Sequence, residues 1–223
     1  MNAKNLIIHA DDFGLTPGIS RGILQTIRQG VVSSASVIIE TPYLSTTKKL
    51  IKDNPDVDWG LHVVIEHLTQ PLDRYITNET ERQIALFQQC FNTRPSHIDF
   101  HKGFQFDTKI YFSLRMLMLR HGLAFRYDNR HKVVTDFYGF HNRTNTVECI
   151  RPQSLIRILS RVSSGFTELV CHPGYTNSRL SDPYRAQRSI ELATLTHPDI
   201  RRAIKTYGIR LSTFTQYARL SAI

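Results

Sequence analysis

The stretch Asn5–Ile23, NLIIHADDFGLTPGISRGI, decides how the chain folds. Leu6-Ile7-Ile8 is a short apolar run of the kind a fully buried strand needs. Thr16 and Pro17 then offer an N-cap and a first helical turn, and Gly30 stands where that helix should end. A strand leading into a helix is the first half of a βαβ unit. At the junction stand Asp11 and Asp12, two carboxylates side by side where the buried strand should end. Adjacent negative charges raise each other's cost of ionising. Either something compensates them or they lie in bulk water.

The same alternation continues to the end of the chain. SASVIIE, DWGLHVV, SHIDFH, LAFRY, TELVCH and IRLSTF read as further strands. Between them, YLSTTKKLIKD, NETERQIALFQQCF (capped at Thr77 or Asn78), TKIYFSLRMLMLRHG, PQSLIRILSRVSSG, DPYRAQRSIELATL and PDIRRAIKTYG read as helices. Only His131–Cys149 gives mixed signals. The pattern predicts an α/β fold with about seven parallel strands wrapped by helices, a (β/α) barrel-like architecture related to the TIM barrel. The 223 residues fit a single domain over 1–223.

Composition removes several function classes. Against 19 Asp+Glu the chain carries 28 Lys+Arg, a net charge of +9. The basic residues are scattered, however, and form no long block, so specific nucleic-acid binding is not expected. Attraction to an acidic glycan or lipid surface stays open. Cys90, Cys149 and Cys171 form no C-x-x-C pair, which argues against a disulfide framework and a thiolate zinc site. No apolar run approaches the ~20 residues a transmembrane helix needs. The N-terminal apolar stretch is too short for a signal peptide, so a cytoplasmic location is expected. The sequence leaves a homodimer open.

In such folds function sits at the carboxyl ends of the strands. Asp11 and Asp12 end the first strand, His62 ends DWGLH, Asp99 and His101 close SHIDFH, Arg126 ends LAFRY and His172 ends TELVCH. Each has a plain structural reading on its own: a hydrogen-bonded His, a helix-capping Asp, an Arg paired with a surface acid. Asp99 lies two residues before His101, so on a strand both face the same side, as partner or as structural acid. Together, one carboxylate and two imidazoles make a divalent-metal site with positions left for water and substrate. A cation on one aspartate would offset the repulsion at the junction and leave its neighbour ionised and free to act as a base.

LIIHADDFGLTPGISRGI, GLH, HIDFHK, LAFRYD, VCHPGY and LTHPDIRRAIKTYGIRLSTF, in that order over essentially the whole chain, resemble the YdjC-like carbohydrate deacetylases, which include the chitooligosaccharide deacetylases. The resemblance implies a barrel-like, metal-dependent hydrolase that removes acetyl groups from small N-acetylated saccharides by cleaving their amide C–N bond. It implies one divalent ion, Mg²⁺ or Zn²⁺, held by Asp12, His62 and His101, with Asp11 as catalytic aspartate and His172 as the histidine of CHPG. Asp11 is then expected to act as general base, His172 to protonate the departing amine, and Arg126 to orient or tune Asp11. Phe13, Phe104 and Tyr175 are either sugar-stacking aromatics or core residues.

Two segments depart from the family pattern. The family commonly places further histidines after its HxDSH segment, where this chain has Lys102-Gly103-Phe104-Gln105, and Glu66–Glu79 is short for a loop that many members extend. Three other readings therefore stand beside the deacetylase. A phosphoesterase on the same scaffold would need more ligands for a second metal. The others are a glycan-binding member that has lost activity and a glycan- or nucleic-acid-binding module that uses the basic surface.

Overall fold

The computed structural model describes residues 3–65, 71–101, 108–141, 144–176 and 183–221. Its elements run β1 (Lys4–Phe13), α1 (Pro17–Gln29), β2 (Ser34–Val37), α2 (Leu44–Lys52), β3 (Asp58–Val63), α3 (Leu72–Phe91), β4 (His97–Phe100), α4 (Thr108–His121) and β5 (Ala124–Phe125). They continue through β6 (Lys132–Val134), β7 (Phe140–His141), β8 (Thr144–Asn145), a 3₁₀ turn (Val147–Ile150), α5 (Pro152–Ser160) and β9 (Gly165–Cys171). The chain closes with α6 (Arg185–Leu195), α7 (Pro198–Thr206), β10 (Ile209–Leu211) and α8 (Phe214–Leu220).

Seven parallel strands in the order β5-β4-β3-β2-β1-β9-β6 form a curled half-barrel surrounded by helices, as the strand–helix alternation requires. β10 pairs in parallel with the start of β1, Lys4–Leu6 opposite Ile209–Leu211. β1 is central, and its alternating side chains serve two packing layers. Leu6, Ile8 and Ala10 join the main apolar core, whereas Ile7 packs with Ala124, Phe214 and Tyr217. Phe214 and Tyr217 belong to α8, which packs against the side of β1 that also carries His9: the Phe214 ring lies 5.4 Å from that of His9.

Several boundaries differ from the sequence reading. α3 starts at Leu72, so Thr77 and Asn78 lie inside it, and the Thr77 hydroxyl donates back to the Asp73 carbonyl (2.7 Å) instead of capping. Residues 66–70 of the short loop lie outside the described residues, as does the 102–107 segment after His101. The last strand stops at Leu211. Thr213 and Gln216 form a reciprocal capping box that starts α8, a helix signal hidden in what reads as strand. The ambiguous 131–149 stretch holds β6, the antiparallel β7–β8 pair and the 3₁₀ turn.

Candidate metal centre and active site

The two adjacent carboxylates reach the same site because β1 is irregular where they stand. His9 and Ala10 pair with Ser34 and Ala35 of β2, but the next paired residue is Phe13, opposite Val37. In a regular strand consecutive side chains point to opposite faces; a bulge removes that constraint. Asp12 takes φ 72°, a left-handed conformation that aspartate tolerates better than most residues. Both carboxylates are buried, at 4% and 2% exposure for Asp11 and Asp12, and strand β1 continues through them to Phe13 instead of ending before them.

Asp12, His62 and His101 converge. The Oδ1 atom of Asp12 lies 3.2 Å from His62 Nε2 and 2.8 Å from His101 Nδ1. Ligands bound to one ion at ~2.0–2.2 Å must lie roughly 3 Å from one another, so these donors are suitably spaced to hold one metal ion. His62 sits opposite Asp99 in the β3–β4 register, and its Nδ1 bonds Asp99 Oδ1 at 2.7 Å. That bond fixes the ring and directs Nε2 at Asp12, the carboxylate–histidine arrangement common behind metal ligands. Nε2 is buried and faces Asp12 Oδ1 at 3.2 Å; with Nδ1 committed to Asp99, it is the ring nitrogen left to share an ion with that oxygen. Burial opposes charge on His62, yet the Asp99 and Asp11 carboxylates push its pKa up to about 10, so a proton and a cation compete for it. Burial alone would raise the Asp12 pKa, but hydrogen bonds from His101 and His62 and the Arg188 charge hold it well below the usual carboxylate range.

Asp11 has a different partner. Arg126, directly after β5, grips it with two bonds, Nη2 to Oδ1 at 2.6 Å and Nη1 to Oδ2 at 2.9 Å. The same guanidinium reaches Asp99 Oδ2 (2.8 Å) and, through Nε, Glu168 Oε1 (2.7 Å). Burial disfavours the Asp11 charge, and the Arg126 charge outweighs it, holding the carboxyl ionised far below its ordinary range. The β1–β9 register pairs Ala10 with Cys171, which brings the next residues alongside each other, and His172 Nε2 lies 3.7 Å from Asp11 Oδ2. Burial pushes the His172 pKa down, so its resting form at neutral pH is the neutral imidazole.

Every residue singled out as metal-binding or catalytic from the sequence therefore meets in one place: Asp11, Asp12, His62, His101, Arg126 and His172. Asp99 also belongs here, though as partner to His62, because the His101 nitrogen turns to Asp12 instead. Four supporting residues were not anticipated. His9 Nε2 lies 3.0 Å from Asp99 and 3.3 Å from Asp11. Its position two residues before Asp11 on one strand was the available signal. Glu168, fully buried in β9, holds Arg126 and His131 (3.1 Å); a charge inside an apolar strand was its signal. Arg188 Nη2 bonds Asp12 Oδ2 at 2.6 Å. Glu191 accepts from the His172 backbone N–H and the Tyr184 hydroxyl, both at 2.5 Å, and burial pushes its pKa up to about 7. Nothing in the sequence separates these two helical charges from solvated ones.

Two other groupings of metal-capable side chains, Asp11–His62–Asp99 and His9–His97–Asp99, share Asp99. The Arg126 guanidinium already compensates Asp99 and Asp11, and a second cation beside it would be repelled. The donor chemistry thus favours one ion at Asp12.

A cavity of about 720 Å³ opens over the site, with Asp11, His101, Arg126 and His172 in its lining. Its aromatic walls are Phe100 at the end of β4 and Tyr127, Phe137 and Tyr138 from the stretch after β5. Tyr138 stacks on Tyr184 with ring centres 4.7 Å apart. Phe13 is a core residue packed on Trp59 at 4.5 Å, Tyr175 is not in this lining, and Phe104 lies outside the described residues.

A curled parallel half-barrel with its charged residues gathered at the carboxyl ends of the strands has the layout of a barrel enzyme's active face. The profile of the YdjC-like protein family matches residues 5–75 and 67–206, and the chain belongs to that family. A carbohydrate deacetylase of Geobacillus stearothermophilus is 27% identical over 249 aligned residues, covering 96% of this chain and 98% of the relative. A chitooligosaccharide deacetylase of Serratia marcescens is 28% identical over 251, covering 95% and 98%. Among solved structures, a protein of Enterococcus faecalis V583, provisionally described as a cellobiose-phosphate cleavage protein, superposes with TM-score 0.83 at 21% identity, covering 97% of this chain and 99% of that one. A family 4 carbohydrate esterase from Streptomyces lividans, solved with acetate, gives TM-score 0.60 at 15% identity, covering 96% and 94%.

Proposed function

We propose that this chain is a carbohydrate deacetylase, a metal-dependent hydrolase forming one domain that releases acetate from N-acetylated sugars. The observation that carries the reading is the meeting of Asp12, His62 and His101 beside an Arg126-bound Asp11 at one end of a saccharide-sized cavity. The deacetylase names of relatives aligned over nearly the full chain support it.

Asp12, His62 and His101 would hold the ion. When bound, it supplies Lewis-acid polarisation of the acetyl carbonyl and acidifies water. Arg126 keeps Asp11 ionised, so the base is in its working form throughout the neutral range. A carboxylate held this low is a weak base, and it suits a water that has already been made acidic. Hydrolysis consumes one water: its hydroxide goes to the acetyl carbon and its proton must reach the departing nitrogen. Asp11 takes that proton, and His172, neutral at rest and 3.7 Å away, passes it to the amine. Asp99 fixes the His62 ring throughout, and Glu191 fixes the backbone at His172.

Two imidazoles with one carboxylate suit Zn²⁺, and Mg²⁺ completed by waters is the alternative. The substrate is a small N-acetylated saccharide. The unpaired thiols Cys90, Cys149 and Cys171 fit a reducing cytoplasm. No helix among the described residues is long and apolar enough to cross a membrane. The test is acetate release from N-acetylated mono- and oligosaccharides by metal-stripped and metal-reloaded protein. Release only from the reloaded protein is expected. Full metal loading with no acetate from any N-acetylated sugar would remove the reading.

A further inference from the structure

Arg188 lies near the start of α6, 3% exposed, with its guanidinium against the ligand cluster. Its Nη2 donates to Asp12 Oδ2 at 2.6 Å, while the other oxygen of that carboxylate faces His62 and His101. Its Nη1 reaches the His172 carbonyl at 3.4 Å, which links Asp12 to the turn that carries His172. We propose that Arg188 is a positioning residue that reserves one Asp12 oxygen and sets how tightly the site holds its divalent ion.

Two physical effects act together. A charge-assisted bond at this distance keeps Oδ2 on the guanidinium, so Asp12 presents Oδ1 alone to the ligand cluster. The arginine charge is permanent and cancels the Asp12 charge locally. Affinity for a divalent cation rises with the charge its ligands carry, so Arg188 lowers the affinity of the centre. Without it, Asp12 would keep only its His62 and His101 contacts, on Oδ1, and its second oxygen would be free to turn toward the ion. The weaker hold leaves the ion with more of its own charge and its other positions open.

The inference rests on the deacetylase reading only for what the centre is used for, and its readout needs no substrate. Zn²⁺ and Mg²⁺ are titrated calorimetrically into metal-stripped wild type, Arg188→Gln and Arg188→Lys. Arg188→Gln should bind about 10-fold tighter or more than wild type, and Arg188→Lys, which keeps the charge, should stay within about threefold. Equal or weaker binding by Arg188→Gln, or a tenfold change in Arg188→Lys, overturns the assignment; the lysine variant decides alone if the glutamine variant does not fold. Wild type that binds neither ion overturns it too. Wild type that binds the ion but releases no acetate sinks the deacetylase reading and leaves the Arg188 assignment standing.

Discussion

Asp99→Asn removes a single charge and no volume, and its effect can be worked out atom by atom. Asp99 Oδ1 accepts from His62 Nδ1 at 2.7 Å, while Oδ2 takes the Ser36 hydroxyl (2.9 Å), His9 Nε2 (3.0 Å) and Arg126 Nη2 (2.8 Å). An asparagine cannot satisfy both sides. With its oxygen toward His62, its amide hydrogens meet the Arg126 and His9 donors. With its NH₂ toward His62, Nδ1 must accept, the ring proton moves to Nε2, and that nitrogen can no longer bind a cation. Partners of this kind are worth about 10–100-fold in metal affinity, or about 1.4–2.8 kcal/mol at ~1.4 kcal/mol per decade. The assay is competition for Zn²⁺ against a chromogenic chelator at pH 7, with circular dichroism to establish that the variant is folded. A folded Asp99→Asn protein that binds Zn²⁺ within twofold of wild type would refute the claim that Asp99 orients His62 for a metal.

Asp11→Asn should fold and keep its metal while losing about 10²–10⁴-fold in acetate release, the range of a general base; wild-type turnover would take that role from Asp11. His131 has its pKa raised from 6.5 to about 9: burial opposes the charge, but the Asp128 and Glu168 bonds outweigh it. Its folded pKa exceeds the unfolded one, so its stabilisation is complete below 6.5 and is lost as pH rises through about 9. The full shift corresponds to about 3 kcal/mol. Urea titrations from pH 6 to pH 10 should show a steeper loss of stability in wild type than in His131→Gln, and parallel curves would contradict the pairing. Gly60→Ala would put a Cβ 2.1 Å from His97 Cε1, and that ring is stacked on Phe214 at 3.9 Å and cannot retreat freely. A cost of about 1–3 kcal/mol is expected from overpacking, measured by denaturant midpoint; an unchanged midpoint would show that the ring has room.

The proposed ligands could be picked out of the sequence because each stands at or beside the end of a recognisable strand, and the barrel rule gathers strand ends on one rim. Their immediate supports could not. Asp99 could be seen to share a strand with His101, but its partner is His62, because the β3–β4 register sets them side by side and no local pattern encodes that register. The bulge that admits both Asp11 and Asp12 is likewise a property of pairing with β2. Arg188 and Glu191 sit on α6, which mixes polar and apolar positions, and solvated and buried charges look alike there until the helix is docked. The β6–β8 region was unreadable for another reason: its strands are two or three residues long, too short to show a period. It nevertheless lines much of the cavity that would select the sugar.

The most direct measurement is anomalous diffraction at the zinc edge from crystals of the Zn²⁺-loaded protein. A single peak within about 2.0–2.2 Å of an Asp12 oxygen, His62 Nε2 and a nitrogen of His101 is expected. A peak at any other set of side chains, or these three found pointing away from one another, would contradict the metal centre on which the deacetylase chemistry depends.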